Sequence, residues 1–131
     1  MFVKFKFSKQ QIDKYFKAAE RDLSLADNKE TEIKFQFTYN CLLKLTQAVC
    51  AHQGLRVKSS SGHHIALLDK CAELLKDKKI SAVGQAMRDK RNRDLYDGGM
   101  FITLKESETY YKFVKELILR VKKYLSVSQI K

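Results

Sequence analysis

Apolar residues recur along this chain at the spacing of a helix rather than that of a strand. Ile12, Tyr15, Phe16, Ala19, Leu23 and Ala26 fall mostly three or four apart, which stacks them on one helical face. Just ahead, Ser8 and Gln11 form a capping-box pair, in which each side chain satisfies a backbone N–H left open at a helix start. A first helix is therefore predicted over Lys9 to Ala26. In the next segment Phe35, Phe37, Tyr39, Cys41, Leu42, Leu45, Ala48 and Val49 occupy most of the circumference. A helix apolar on nearly every side belongs at the centre of a bundle. Asp27, Asn28 and Glu30 offer capping chemistry before it, and Gly54 supplies its stop. Ile33, Phe35, Phe37 and Tyr39 alternate as in a strand, but the continuation through Val49 decides for helix.

Periodicity then lapses. The stretch Arg56 to Gly62, with Ser59, Ser60 and Ser61 together, reads as a flexible basic loop. A third helix carries Ile65, Leu68, Ala72 and Leu75 on one face, and Lys76, Asp77, Lys78 and Lys79 form the next turn. A fourth starts near Ser81, carries Val83, Ala86, Met87, Arg91 and Leu95, and breaks at Asp97-Gly98-Gly99. The last, Lys105 to Leu125, repeats Tyr110, Phe113, Val114, Leu117, Ile118, Val121, Tyr124 and Leu125 with lysine and glutamate between them; it is the clearest amphipathic helix in the chain. Only Met1 to Phe7 departs from the pattern, its Val3, Phe5, Phe7 alternation predicting a short extended arm. No proline interrupts the helical segments. The expected fold is all-α, an antiparallel bundle of about five helices forming a single domain over residues 1–131.

Composition narrows the function classes. With 44% hydrophobic and 31% charged residues the chain has the make-up of a globular domain, and it lacks the run of roughly 18 apolar residues that a membrane span requires. Lys4 and Lys6 interrupt the N-terminal apolar residues, so no secretory signal is expected there and the expected location is cytoplasmic, without a membrane partner. Cys41, Cys50 and Cys71 are odd in number and lie in helical patterns, which suits reduced thiols in a core. Neither Cys50 with His52 nor the His63-His64 pair has the spacing of a zinc motif. No metal is expected. No phosphate loop, nucleophile elbow or paired-carboxylate site is present, and no cofactor is expected either. Lys plus Arg total 26 against 15 Asp plus Glu, a formal charge of +11, which concentrates polyanions near the surface.

The chemistry gathers in Arg88-Asp89-Lys90-Arg91-Asn92-Arg93-Asp94-Leu95-Tyr96-Asp97. Cations with an amide and a phenol at a helix end suit phosphate. On a regular helix Arg88, Asn92 and Tyr96 share a stripe, whereas Arg91 points away from them, beside the seam of Val83, Met87 and Leu95. An arginine there must reach solvent, pair with an acid or face a second subunit, because an unpaired buried cation is costly.

These residues resemble the HEPN superfamily, the higher eukaryotes and prokaryotes nucleotide-binding domains. The resemblance runs from about Ser8 to Leu125. It rests on the second-helix run Tyr39-Asn40-Cys41-Leu42-Leu43-Lys44-Leu45, the Gly62-His63-His64 opening of the third, and above all Arg91-Asn92-Arg93-Asp94-Leu95-Tyr96-Asp97. The superfamily signature is an arginine, often followed by a polar residue, with a histidine four to six residues beyond. It implies a helical bundle that dimerises with the motif arginines near a twofold axis, forming a cleft for RNA or nucleotide. Many members are metal-independent ribonucleases, frequently toxins paired with an antitoxin, sometimes a nucleotidyltransferase; others only bind.

Tyr96 stands where catalytic members carry histidine. A phenol of pKa about 10 is ionised to roughly one part in a thousand at neutral pH, so it is a poor substitute for imidazole as a base. It can instead donate a hydrogen bond to phosphate or stack on a base. His63 or His64, at the start of the third helix, is the alternative source of a base. Three expectations stand side by side. The first is a dimer binding RNA or nucleotide through Arg88, Arg91, Asn92, Arg93, Tyr96, His63 and His64. The second is a metal-independent ribonuclease using Arg91 with Tyr96 or a histidine. The third is a noncatalytic protein-interaction module.

Overall fold

The computed structural model describes residues 2–58, 63–97 and 102–127, with residues 93–97 described by their backbone alone. The described chain forms five helices and one two-stranded ribbon: β1 (Phe2–Lys4), α1 (Lys9–Ala26), α2 (Thr31–His52), β2 (Leu55–Val57), α3 (His63–Leu75), α4 (Lys78–Asp97) and α5 (Leu104–Leu125). This is the expected all-α bundle. Local chemistry sets the helix ends. Ser8 caps α1 through the expected box with Gln11, and Thr103 with Glu106 does the same for α5. At the end of α2, Gly54 takes φ +70 while its N–H bonds the Ala51 carbonyl at 2.9 Å, a left-handed turn that suits glycine.

Helix α2 is the central element. It packs against α1, α3, α4 and α5, and Phe35, Tyr39, Cys41, Leu42, Leu45, Ala48 and Val49 are all buried on it. Lys34 is buried as well, its ammonium 3.8 Å from the Tyr111 ring centre and 3.6 Å from Glu108 Oε1. The buried Asp22 of α1 pairs with Lys44 of α2. All three cysteines are free and buried, and burial pushes the Cys41 and Cys50 thiols up to about 12. Such thiols are inert packing groups.

Three readings are corrected. Arg56 and Val57, the start of the predicted loop, belong instead to the strand Leu55–Val57 that pairs antiparallel with Phe2–Lys4, Val3 opposite Arg56. The N-terminal arm thereby acquires a partner. Of the rest of that predicted loop, Lys58 has no regular structure and Ser59 to Gly62 lie outside the described residues. Helix α4 begins at Lys78, a turn earlier than predicted, because the Asp77 carboxylate accepts from the Lys79 N–H at 3.0 Å. Finally, Ala86 is exposed, and Ile80, Gly84 and Met87 are the buried positions of α4 among the described side chains, Leu95 lying outside them. The glycine matters. A Cβ at Gly84 would lie 2.4 Å from Leu68 Cδ2, well inside van der Waals contact, so α3 and α4 approach as closely as they do because position 84 has no side chain.

Candidate functional site

The α3–α4 hairpin brings the first turn of α3 beside the last turns of α4, since two helices joined by a short turn run antiparallel. On α4, Gly84, Arg88 and Arg91 follow at i, i+4 and i+7; on α3, His64 and Leu68 are i and i+4. The close Gly84–Leu68 contact therefore lies one turn from the point where the two arginines and His64 meet. Arg88 and Arg91 are about 60° apart around the helix. Although Arg91 lies off the stripe of Arg88 and Asn92, the charges of the two arginines act on the same groups, Tyr39 and His64.

They converge on Tyr39 of α2. The Arg91 guanidinium carbon lies 5.7 Å from the centre of the Tyr39 ring, within cation–π range, and the His64 ring lies 6.3 Å from it edge-on. Tyr39 is 0% exposed. Its hydroxyl is buried and has no hydrogen-bond partner among the described residues. Burial raises the Tyr39 pKa above its usual value, against the opposing pull of Arg91 and Arg88. Burial also lowers the His64 pKa, and His63, Arg91 and Arg88 lower it further by charge. The result is a neutral donor phenol, a neutral imidazole and two guanidinium groups. No carboxylate pairs with Arg88 or Arg91 among the described residues. An internal ion pair for Arg91 is thus absent from that set.

Of the predicted site residues, Arg88, Arg91 and His64 come together; His63 adjoins them, its ring 4.3 Å from that of His64. Asn92 is half-buried on the same helix. The side chains of Arg93 and Tyr96 lie outside the described residues. Sequence reading missed Tyr39 as a site residue, counting it with the apolar residues of α2. Its signal was the hydroxyl, because a phenol at the heart of a central, largely buried helix must find a partner or stay unsatisfied. The neighbouring Lys90 holds Glu106 of α5 at 3.1 Å, tying the end of α4 to the start of α5.

Two other polar regions differ in kind. At the far end of α2, the buried His52 packs 5.4 Å from the Tyr124 ring, and Gln53 Nε2 donates to Tyr124 Oη at 2.6 Å. There the Tyr124 hydroxyl has its partner in Gln53. A groove of about 930 Å³ along α3 and α4 is lined by Asp69, Glu73, Asp77 and Asp89 as well as Lys76 and Lys78, and its carboxylates would repel a polyanion. Among the described residues no group of three or more histidine, cysteine or carboxylate side chains could hold a metal ion, and no helix is long and apolar enough to cross a membrane. The chain matches no family model, no curated protein and no solved structure in the comparisons made.

The lowered His64 pKa has a measurable consequence for stability. Folding favours the neutral ring, so the unfolded chain takes up the proton first as pH falls below the ordinary value near 6.5. Stability should accordingly decline from about that pH down through the lowered folded value and then level off. Denaturant melts across this range should show the decline in the native protein and a shallower one in His64→Gln.

Proposed function

We propose that this chain is a HEPN-like helical protein that binds RNA or nucleotide phosphate where α2, α3 and α4 meet, acting as a dimer in the cytoplasm. The observation that carries the reading is the buried Tyr39 hydroxyl, without a hydrogen-bond partner among the described residues, on a ring that the Arg91 guanidinium overlies. Arg88 and Arg91 bring positive charge without a carboxylate among the described residues to neutralise it. A phosphate would supply what the cluster lacks, an anion with several acceptor oxygens. Asn92 and His63 flank the cluster, and Arg93 and Tyr96, which follow on the same helix, stay within the proposed contact surface. An antitoxin or a nucleotidyltransferase is the class of protein partner that the HEPN resemblance implies.

The test uses the phenol itself. A buried hydroxyl without a partner costs stability, so Tyr39→Phe should leave the free protein as stable as before or stabilise it by about 1 kcal/mol. The same substitution should weaken binding of single-stranded RNA about tenfold if the hydroxyl bonds the ligand. Denaturant melts and fluorescence anisotropy measure the two effects. Unchanged RNA affinity in a stabilised Tyr39→Phe protein would remove the hydroxyl from the binding site.

A second reading, metal-independent ribonuclease, is favoured by the depressed His64 pKa. A neutral imidazole can take the proton of a 2′-hydroxyl, whose oxygen attacks phosphorus as the bond to the 5′-oxygen breaks. Arg88 and Arg91 would stabilise the phosphorane charge, and the departing 5′-oxygen would take its proton from water. In this reading His64 takes the part that Tyr96 fills poorly. Incubation of RNA with chelator and with the native protein or His64→Ala decides it: cleavage lost in the variant supports the enzyme, and no cleavage by the native protein excludes it.

A further inference from the structure

We propose that the cavity enclosed by α1, α2, β2 and the start of α3 is a nucleobase subsite, which takes the base of a nucleotide adjoining the phosphate held at Arg91 and His64. The proposal rests on the phosphate-binding reading above. The cavity measures about 530 Å³, inside the range of small-molecule sites. Its walls combine an aromatic side, with Phe7 and Tyr15 in edge-on contact at 6.3 Å, and the Gln47 amide of α2. An aromatic wall favours a flat heterocycle. An amide, with one acceptor and two donor hydrogens, matches the hydrogen-bonding edge of a base. The exposed Arg56 and Lys58 also line it, and none of its lining residues is acidic. That charge pattern selects an anionic ligand and sets this cavity apart from the carboxylate-lined groove between α3 and α4.

Position ties the cavity to the phosphate cluster. His63 lines it, and the His63 ring is 4.3 Å from that of His64, which in turn faces Tyr39. The two neighbouring residues at the start of α3 thus serve one region each, His63 the cavity and His64 the arginine cluster. A strand with its phosphate at Arg91 would run past this histidine pair and turn its next base toward Gln47. The β1–β2 ribbon, which walls the cavity with Val3, Leu55 and Val57, then has a role in binding as well as in closing the end of the bundle.

Binding of a short oligoadenylate, of the same strand without bases, and of AMP tests the proposal on the native protein and on Gln47→Leu, Gln47→Glu and Arg91→Ala. The native protein should prefer the base-bearing strand by about tenfold, the order a single base contact contributes. Both Gln47 variants should lose that preference; Gln47→Leu should keep native affinity for the abasic strand. Gln47→Glu is nearly isosteric and covers the case in which leucine disturbs folding, which circular dichroism would reveal. AMP binding that disappears in the Gln47 variants indicates a free nucleotide as ligand; a base preference without AMP binding indicates a strand. A native preference that survives both substitutions, or no preference at all, overturns the subsite. Failure of the underlying phosphate reading looks different: Arg91→Ala would then bind the abasic strand as well as the native protein does.

Discussion

With Arg91 replaced by alanine, single-stranded RNA should bind about tenfold to a hundredfold more weakly at moderate salt. A hydrogen bond between ionised partners contributes about 1.5–3 kcal/mol, and each factor of ten in affinity corresponds to about 1.4 kcal/mol. Arg91 carries such a charge with no carboxylate partner among the described residues. Its removal should also reduce the slope of log affinity against log salt by about 1, the signature of one phosphate contact. Arg91→Lys should fall between, since it keeps the charge and loses the planar fork. Among the described residues the folded state loses the contact of Arg91 with the Tyr39 ring, about 0.5–1 kcal/mol, so the binding defect should appear in a folded protein. Anisotropy titrations at two salt concentrations measure both quantities. Equal affinity and equal salt slope in native and variant proteins would remove Arg91 from any phosphate site and leave the interaction-module alternative in its place.

The largest effect on stability should come from Lys44→Met. The Asp22 side chain is 7% exposed and its ion-pair partner Lys44 is 36% exposed. Removing the lysine strands a buried carboxylate, which costs about 3 kcal/mol after allowance for the exposure of its partner. Replacing both, as Asp22→Leu with Lys44→Met, should return most of that loss, because two well-packed apolar groups need no charge compensation. The two proteins together separate loss of a partner from loss of a contact. Urea melts at neutral pH give the comparison, and a single variant as stable as the native protein would show that water solvates Asp22.

Much of the bundle was legible in the chain because its signals are local. The α1 boundaries follow from Ser8, Gln11 and the spacing of Ile12 to Ala26, and the all-round apolar character of α2 gave its central place. The ribbon was half legible. Three-residue strands are too short to show a period, so the Phe2–Lys4 arm read as extended while Arg56 and Val57 of its partner passed for loop. In the candidate site, Arg88, Arg91, His63 and His64 stood out by residue type, whereas Tyr39 did not, since nothing in its neighbours marks it as more than a core aromatic.

Sequence by itself determined the broad helical segments, the capping box of the first and the cationic character of the fourth, because hydrophobic period, capping and charge are properties of neighbours in the chain. Only the tertiary structure decided which faces meet. Gly84 against Leu68 sets how near α3 and α4 come, and that approach puts Arg88, Arg91 and His64 around a Tyr39 hydroxyl from a third helix. Their meeting depends on the packing of helices distant in sequence, which no local pattern encodes.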